Sequence, residues 1–180
     1  RRVLFRSKLT TTFPRSVGQL PLFYNHLNTG RPDPDSHIFN RYASNYLDES
    51  NEPLYPFGYG LSYTDFVYGE LQISSETLPK NGELTVSVTV TNKGNYDGYE
   101  TVQLYLHDIY AEIARPVKEL KGFERVFLKS GESRDVKFVI TEDDLKFYNS
   151  ELHYVYEPGE FDVMVGPNSR DVQTKSFQAK

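Results

Sequence analysis

The sequence contains no cysteine and no tryptophan, and its single methionine is Met164. Without cysteine there is neither a disulfide framework nor a thiolate that could bind a metal or act as a nucleophile. Because residue 1 is Arg and Met164 lies close to the other end, we expect the chain to be a piece of a longer translation product. Its first seven residues, RRVLFRS, are too few for the apolar core of a signal peptide.

Long apolar runs and concentrated basic surfaces are also missing. No stretch approaches the roughly 20 apolar residues of a membrane helix, so no membrane span is expected. The 20 basic and 25 acidic residues give a net charge of −5 and are scattered along the chain. Nucleic acid is not an expected partner, because binding to phosphates requires a concentrated basic surface.

Aromatic residues and turn formers are plentiful. The chain has 14 Tyr, 12 Phe, 12 Gly and 10 Pro, and 38% of its residues are hydrophobic. Tyr, Phe, Val and Thr favour half-buried strands, whereas Gly and Pro favour turns. This composition indicates an all-β domain with enough apolar material for a core.

Residues 63–180 alternate apolar and polar side chains in short runs that indicate strands. In LTVSVTVTN, residues 84–92, the alternation places Val88 on a buried face and Thr89 on an exposed one. A hairpin is predicted through Glu157–Gly159, and a capped helical turn at Thr141. About seven or eight strands fit a β-sandwich, although the pattern alone does not separate a fibronectin type from a jelly roll. The other predicted strands lie at residues 66–73, 101–108, 123–128, 135–140, 153–156, 160–166 and 172–178.

Residues 8–62 follow no such pattern. They hold six of the ten prolines, which prevents long helices, and nine aromatic residues. Only one short strand, at Leu20–Tyr24, is predicted. So irregular a segment cannot enclose its own aromatic side chains, and we expect it to pack on the following domain or on protein outside this sequence. We therefore predict fast amide exchange in residues 8–50 and protection in residues 53–180.

Five blocks occur in order along residues 8–180: TFPRSVGQLPLFYNHLNTGRP, PLYPFGYGLSYTDF, VTVTNKGNYDGYETVQLYLHD, RPVKELKGFERVFLKSGE and EPGEFDVMVGPNS. Together they resemble the C-terminal portion of family 3 glycoside hydrolases, the β-glucosidase and β-xylosidase group. The resemblance implies that residues 8–52 end an α/β sandwich domain, that residues 53–62 form an interdomain junction, and that residues 63–180 form a fibronectin type III-like β-sandwich. Residues 1–7 depart from the family and are interpreted as an artefact.

The resemblance also implies a function. The family hydrolyses terminal β-linked sugars with retention, using an Asp nucleophile in an N-terminal barrel and a Glu acid/base. Both positions precede this sequence in the family, so no catalytic residue is carried over. The fibronectin type III-like domain, which we call the module, is expected to support the catalytic domains. The expected partners are those domains and, in the whole enzyme, a glycoside. No cofactor or metal is expected, and the family implies a periplasmic or secreted location.

The alternative function is an autonomous carbohydrate-binding or adhesion β-sandwich. A sugar-binding module would be expected to display a row of exposed aromatic residues, often Trp, on one sheet face. The chain has no Trp, and its strand aromatics mostly fall in phase with core positions. We therefore favour the interpretation that the chain is part of an enzyme.

Several residues invite a chemical role that the sequence does not favour. The run Glu142, Asp143 and Asp144 could bind Ca²⁺ or act in acid/base catalysis, but adjacent side chains diverge and helix capping explains them. Residues 58–62, GYGLS, lack the Lys and the helix of a phosphate-binding loop, so turn glycines are the favoured interpretation. Arg115 is a candidate for contact with a neighbouring domain or subunit.

The histidines give no metal motif because they are widely spaced. His26, beside Tyr24 and Asn25, is a candidate contact near a sugar pocket, and a packing loop is the favoured alternative. The four histidines are His26, His37, His107 and His153.

Overall fold

A computed structural model describes residues 8–32 and 42–180. The interpretation of residues 1–7 and the predictions for His37 and Phe39 lie outside the described residues. The described part contains eleven strands: Phe66–Tyr68 (β1), Gln72–Ile73 (β2), Thr77–Leu78 (β3), Leu84–Asn92 (β4), Gly98–Asp108 (β5), Glu119–Leu128 (β6), Ser133–Ile140 (β7), Phe147–Tyr148 (β8), Tyr154–Val155 (β9), Gly159–Gly166 (β10) and Gln173–Ala179 (β11). One helical turn, Glu142–Leu145 (α1), follows β7, and a 3-10 turn occupies Val17–Gln19.

Two sheets form a β-sandwich, as the alternation and the resemblance predict. In the first sheet β4 lies between β7 on one side and the short strands β1 and β2 on the other. The second sheet has the order β3-β11-β10-β5-β6, with β3 parallel to β11 and the other pairs antiparallel. A separate pair, β8 and β9, lies after α1.

The core fills the space between the two sheets. Val86, Val88 and Val90 of β4 are at most 3% exposed, and Thr89 is exposed on the opposite face, so the predicted faces of this strand are confirmed. They pack in one cluster with the inward side chains of β5, such as Val102 and Leu104. The alternation predicts the buried face of β4 correctly because one face of each sheet packs against the other sheet.

Two details of the strand prediction are wrong. The run at residues 66–73 is split, because the chain turns at Gly69–Leu71 and buries Leu71, whose amide donates to Gln173. The hairpin through Glu157–Gly159 does not form, since β9 pairs with β8 and β10 pairs with β5 and β11. Pro158 interrupts the run without an amide donor, which makes a break between β9 and β10 natural.

The predicted strand at Leu20–Tyr24 is also absent. Only the 3-10 turn Val17–Gln19 forms nearby, and Pro21 has no amide to offer a partner strand. The side chain of Gln19 is buried and donates to the carbonyl of Ser50 at 2.7 Å, so side-chain bonds replace a ladder there.

The segment that precedes the sandwich packs on the outer face of the second sheet. We call its described residues, 8–32 and 42–62, the N-terminal segment. Along β5 both faces are buried from Val102 to Leu106, and the outward residues Gln103 and Tyr105 are at most 3% exposed. The expectation that the aromatic segment packs on the following domain is therefore met at β5.

Candidate functional site

Backbone hydrogen bonds join the two ends of the N-terminal segment, and we call this set of bonds the clasp. Leu9 donates its amide to Tyr59 at 2.7 Å, and Gly58 donates to Leu9 at 2.8 Å. Phe13 donates to Tyr55 at 2.9 Å, and their rings meet edge to face. These bonds join the start of the segment to residues 54–59, of which Gly58 contacts the sheet.

Tyr24 and Phe57 cover the outer face of β5. Their rings stack with centroids 4.2 Å apart, and Tyr24 also meets Tyr105 edge to face at 5.9 Å. Beneath them the hydroxyl of Tyr105 donates to Gln103 at 2.6 Å, and burial raises the pKa of Tyr105. The Gln103 amide in turn donates to the carbonyls of Gly58 and Pro167 at 3.2 and 2.6 Å. A polar network under aromatic rings thus fixes Phe57 and Gly58 to the sheet.

Gly58 is a structural glycine, as the turn interpretation of GYGLS predicts. Its φ of +77° lies in the left-handed region that favours glycine. A Cβ atom there would also clash with Oε1 of Gln103. The glycine therefore permits close approach to the sheet.

The ammonium group of Lys8 pairs with the buried carboxylate of Glu100. Its Nζ lies 2.9 Å from Oε1 of Glu100, whose side chain is only 6% exposed. Lys8 also donates to the carbonyl of Pro167 at 3.1 Å, and the Tyr68 hydroxyl donates to Glu100 at 3.0 Å. Burial, and then the charge of Glu100, raise the pKa of Tyr68 well above its usual value, so the hydroxyl stays a neutral donor. Sequence alone gives no signal for this pair, because its members are 92 positions apart.

Arg115 is engaged in contacts within the chain. It donates to Glu119 at 2.8 Å, lies 4.0 Å from Asp108 and stacks over the ring of Phe147 at 4.4 Å. Burial raises the pKa of Asp108 to about 6; Arg115 opposes this, and Glu157 and Glu119 add to it. The loop that carries Arg115 contacts the N-terminal segment, because Val117 donates its amide to His26 at 2.9 Å.

The acidic run at Glu142–Asp144 caps α1, as the structural interpretation predicts. Asp144 accepts the amide and the hydroxyl of Thr141 at 2.8 and 3.0 Å. Asp143 pairs with Lys146 at 2.6 Å, and Glu142 accepts the amide of Asn81. The three carboxylates therefore have three different partners, and no group of acidic or histidine side chains suited to a metal occurs among the described residues.

The histidines that the structure describes lie in separate places. His26 is exposed, and its Nδ1 is 2.9 Å from the Leu27 carbonyl. His107 and His153 lie near Asp162 and Glu151, at 3.8 and 3.4 Å. Asn25, next to His26, is exposed. The ring of Tyr24 is stacked on Phe57, whereas Phe23 is 59% exposed and lines a groove together with His26.

Five strand aromatics of the described residues are exposed, against the expectation that strand aromatics mostly follow the core phase: Tyr99, Phe123, Phe127, Tyr148 and Tyr154. Phe123 on β6 is 68% exposed and Phe127 is 38% exposed. The burial pattern of β6 explains this, since only Val126 and Leu128 at its end point into the core.

An apolar groove opens on the N-terminal segment beside the clasp. It has a volume of about 580 Å³, and Phe13, Tyr55, Tyr59, Leu61 and Tyr63 line it. A second groove, of about 630 Å³, lies around Phe23, His26 and Tyr46.

Comparisons with known proteins agree with this architecture. Residues 100–169 match the family of fibronectin type III-like domains. The chain is 51% identical over 172 residues to a periplasmic β-glucosidase of Salmonella typhimurium, and 43% identical over 175 residues to a β-xylosidase of Formosa agariphila. This chain is homologous to the C-terminal portion of family 3 β-glucosidases and β-xylosidases.

Solved structures of such enzymes contain the same fold. The chain superposes on β-glucosidase from Listeria innocua in complex with glucose with a TM-score of 0.88 and 46% identity. It superposes on a β-glucosidase from Erythrobacter marinus with a TM-score of 0.84 and 39% identity. The two alignments cover 97% and 96% of this chain but only 24% and 22% of the solved chains.

The chain spans about a fifth of the length of its curated relatives. The match covers 95% of this chain and 22% of the Salmonella enzyme, and 96% of this chain and 23% of the Formosa enzyme. Within the described residues, no helix is long and apolar enough to cross a membrane.

Proposed function

We propose that this chain is the C-terminal part of a retaining β-glycosidase that acts on terminal β-linked sugars. Its relatives are named β-glucosidases and β-xylosidases, and the similarity extends over 95% of the chain at 51% identity in one case. That similarity over nearly the whole chain is the observation that carries the proposal. In the whole enzyme the expected substrate is a glycoside with a terminal β-linked glucose or xylose.

The module itself is non-catalytic in this proposal, and its role is to support the catalytic domains. The prominent carboxylates support this role, since Glu100 is paired with Lys8 and the acidic run caps α1. The division into residues 8–52, 53–62 and 63–180 belongs to the same proposal. The clasp between Leu9 and Tyr59 and between Phe13 and Tyr55 supports a junction that is built from both sides.

The location follows from the same relationship. A Salmonella relative is named a periplasmic β-glucosidase, so we place the whole enzyme in the periplasm or outside the cell.

An assay of the isolated chain tests the proposed role. Residues 1–180, purified free of host enzymes, should give no hydrolysis of aryl β-glucosides or aryl β-xylosides above buffer, because the nucleophile and the acid/base lie elsewhere. Turnover by the purified chain that survives repeated purification would reject the non-catalytic role.

A further inference from the structure

The apolar groove on the N-terminal segment is preformed. Its two walls are joined by backbone hydrogen bonds from Phe13 to Tyr55 at 2.9 Å and from Leu9 to Tyr59 at 2.7 Å. The rings of Tyr55 and Tyr59 stack with centroids 5.1 Å apart. A site held in this way does not have to order its walls when something binds, which lowers the cost of association.

Much of the lining is open to solvent although it is apolar. Leu61 is 73% exposed, Tyr63 65% and Phe13 43%. Contiguous exposure of such side chains is unusual on a monomer and indicates a contact surface. Tyr and Phe are also the residues that protein interfaces favour at their centres.

The lining chemistry indicates what the groove can bind. Its described lining residues carry no charge, and their side-chain polar groups are tyrosine hydroxyls and the hydroxyl of Ser62. A sugar needs several directed hydrogen bonds for its hydroxyl groups, and ligand sites supply them with precisely placed polar side chains. Apolar protein side chains need none, so they match this lining better.

The position of the groove indicates where those side chains come from. Leu9 belongs to its lining, and Lys8, one residue earlier, is fixed to Glu100 at 2.9 Å. The first described residues of the chain therefore lie directly beside the groove. The chain accounts for only 22% of the Salmonella relative, so in the proposed enzyme most of the protein lies outside this chain.

We propose that this groove is the docking site for apolar side chains of the catalytic part that precedes Lys8, and that Leu61 and Tyr63 are its main contact residues. The inference rests on the proposed function and adds the surface through which the module supports the enzyme.

A chimera tests this inference. The chain replaces the matching C-terminal part of the Salmonella periplasmic β-glucosidase, and Leu61→Asp and Tyr63→Asp are introduced separately. The matched control is Tyr96→Asp, because Tyr96 is 66% exposed, like Tyr63, and lies on the turn between β4 and β5. Thermal unfolding and the half-life of aryl β-glucoside hydrolysis on heating are measured for each chimera. The melting temperature of each isolated chain is measured in parallel.

In the chimera, both groove variants should lower the melting temperature by about 3 °C or more and shorten the half-life of activity. The control should leave both quantities within about 1 °C and about 1.5-fold of the parent. In the isolated chain all three substitutions should be equally mild, because the affected side chains are exposed there. Groove variants that match the control in an active chimera would overturn the docking site alone.

Two other outcomes also overturn it. If the isolated chain is a dimer that Leu61→Asp converts to monomer, the groove binds a second copy instead. A parent chimera would reject the proposed function, and the docking site with it, if it did not hydrolyse the substrate and if this chain and the Salmonella part unfolded in separate transitions.

Discussion

Lys8 ties two distant parts of the chain together through a single buried charge. Glu100 lies between the sheets at 6% side-chain exposure, and its cation comes from the N-terminal segment. Removing one member of a buried pair leaves the other charge without compensation, and this cost usually exceeds the net gain from the pair. The segment therefore contributes to the stability of the sandwich.

Lys8→Met should lower the free energy of unfolding by about 2–3 kcal/mol, below the top of the range for buried pairs because Lys8 keeps 21% of its side chain exposed. Adding Glu100→Gln should recover most of the loss, since no buried charge then remains. Chemical denaturation of the single and double variants measures both effects. Lys175→Met is the control, because its partner Glu70 is 75% exposed and such a pair is worth about 0–1 kcal/mol. Equal losses for Lys8→Met and Lys175→Met would show that Glu100 does not need its cation.

Asp108 gives the stability a pH dependence of known sign. Burial raises its folded-state pKa from 3.8 to about 6, against the attraction of Arg115 and with the repulsion of Glu157 and Glu119. A raised pKa means that the folded state favours the protonated form, so this contribution is present at low pH and is lost as the pH rises through about 6.

Asp108→Asn should therefore flatten the fall in stability between pH 5 and pH 7.5, and it should stabilise the chain at the upper pH. The effect is at most about 3 kcal/mol and is reduced by solvent screening. Urea unfolding at the two pH values checks it. If the free energy of unfolding of the variant still fell with pH as steeply as that of the wild type, a group other than Asp108 would be responsible.

Strands are the elements that the sequence predicts best, and β4 shows why. Its alternation is complete from Leu84 to Asn92 because one face meets the core and the other meets solvent. Strand β5 breaks the rule, since the N-terminal segment buries Gln103 and Tyr105 on its outer face. Periodicity reports the number of buried faces and carries no information about which neighbour covers them.

Val88→Asp should unfold the sandwich, because the carboxylate would enter a core in which Val88 is 3% exposed. The alternation alone suggests Thr89→Asp as a harmless control. The structure makes it a poor one, since Thr89 lies opposite Asp135 and donates to that carboxylate at 2.6 Å. Thr89→Lys is the better control because it places a cation opposite Asp135. Circular dichroism melting should separate the two, and similar losses would contradict the assignment of the strand faces.

At the scale of the whole molecule, the sequence predicts the sandwich but not the way the preceding segment attaches to it. The attachment depends on contacts between positions far apart, such as Lys8 with Glu100 and Tyr24 with Tyr105. No local pattern encodes such pairs. The five resembling blocks indicated the family, whereas the apolar groove and the outward Phe123 emerged only from the fold.

Amide exchange should be graded along the chain, and the change from fast to slow exchange should be less sharp than a single boundary at residue 53. The amides of Leu9 and Phe13 donate to Tyr59 and Tyr55, so they should exchange more slowly than those of residues 20–32. Residues 84–91 should be the slowest. Hydrogen exchange of the isolated chain measures this order, and equal protection of residues 20–32 and 84–91 would contradict it.

The central claim is that the chain is a non-catalytic part that the catalytic domains need. The most direct measurement compares hydrolysis of an aryl β-glucoside by the Salmonella periplasmic β-glucosidase in three forms: intact, truncated before the part matching this chain, and truncated but fused to this chain. We predict strong loss on truncation and recovery with the fusion, while the isolated chain stays inactive. Full activity of the truncated enzyme, or turnover by the isolated chain, would contradict the claim.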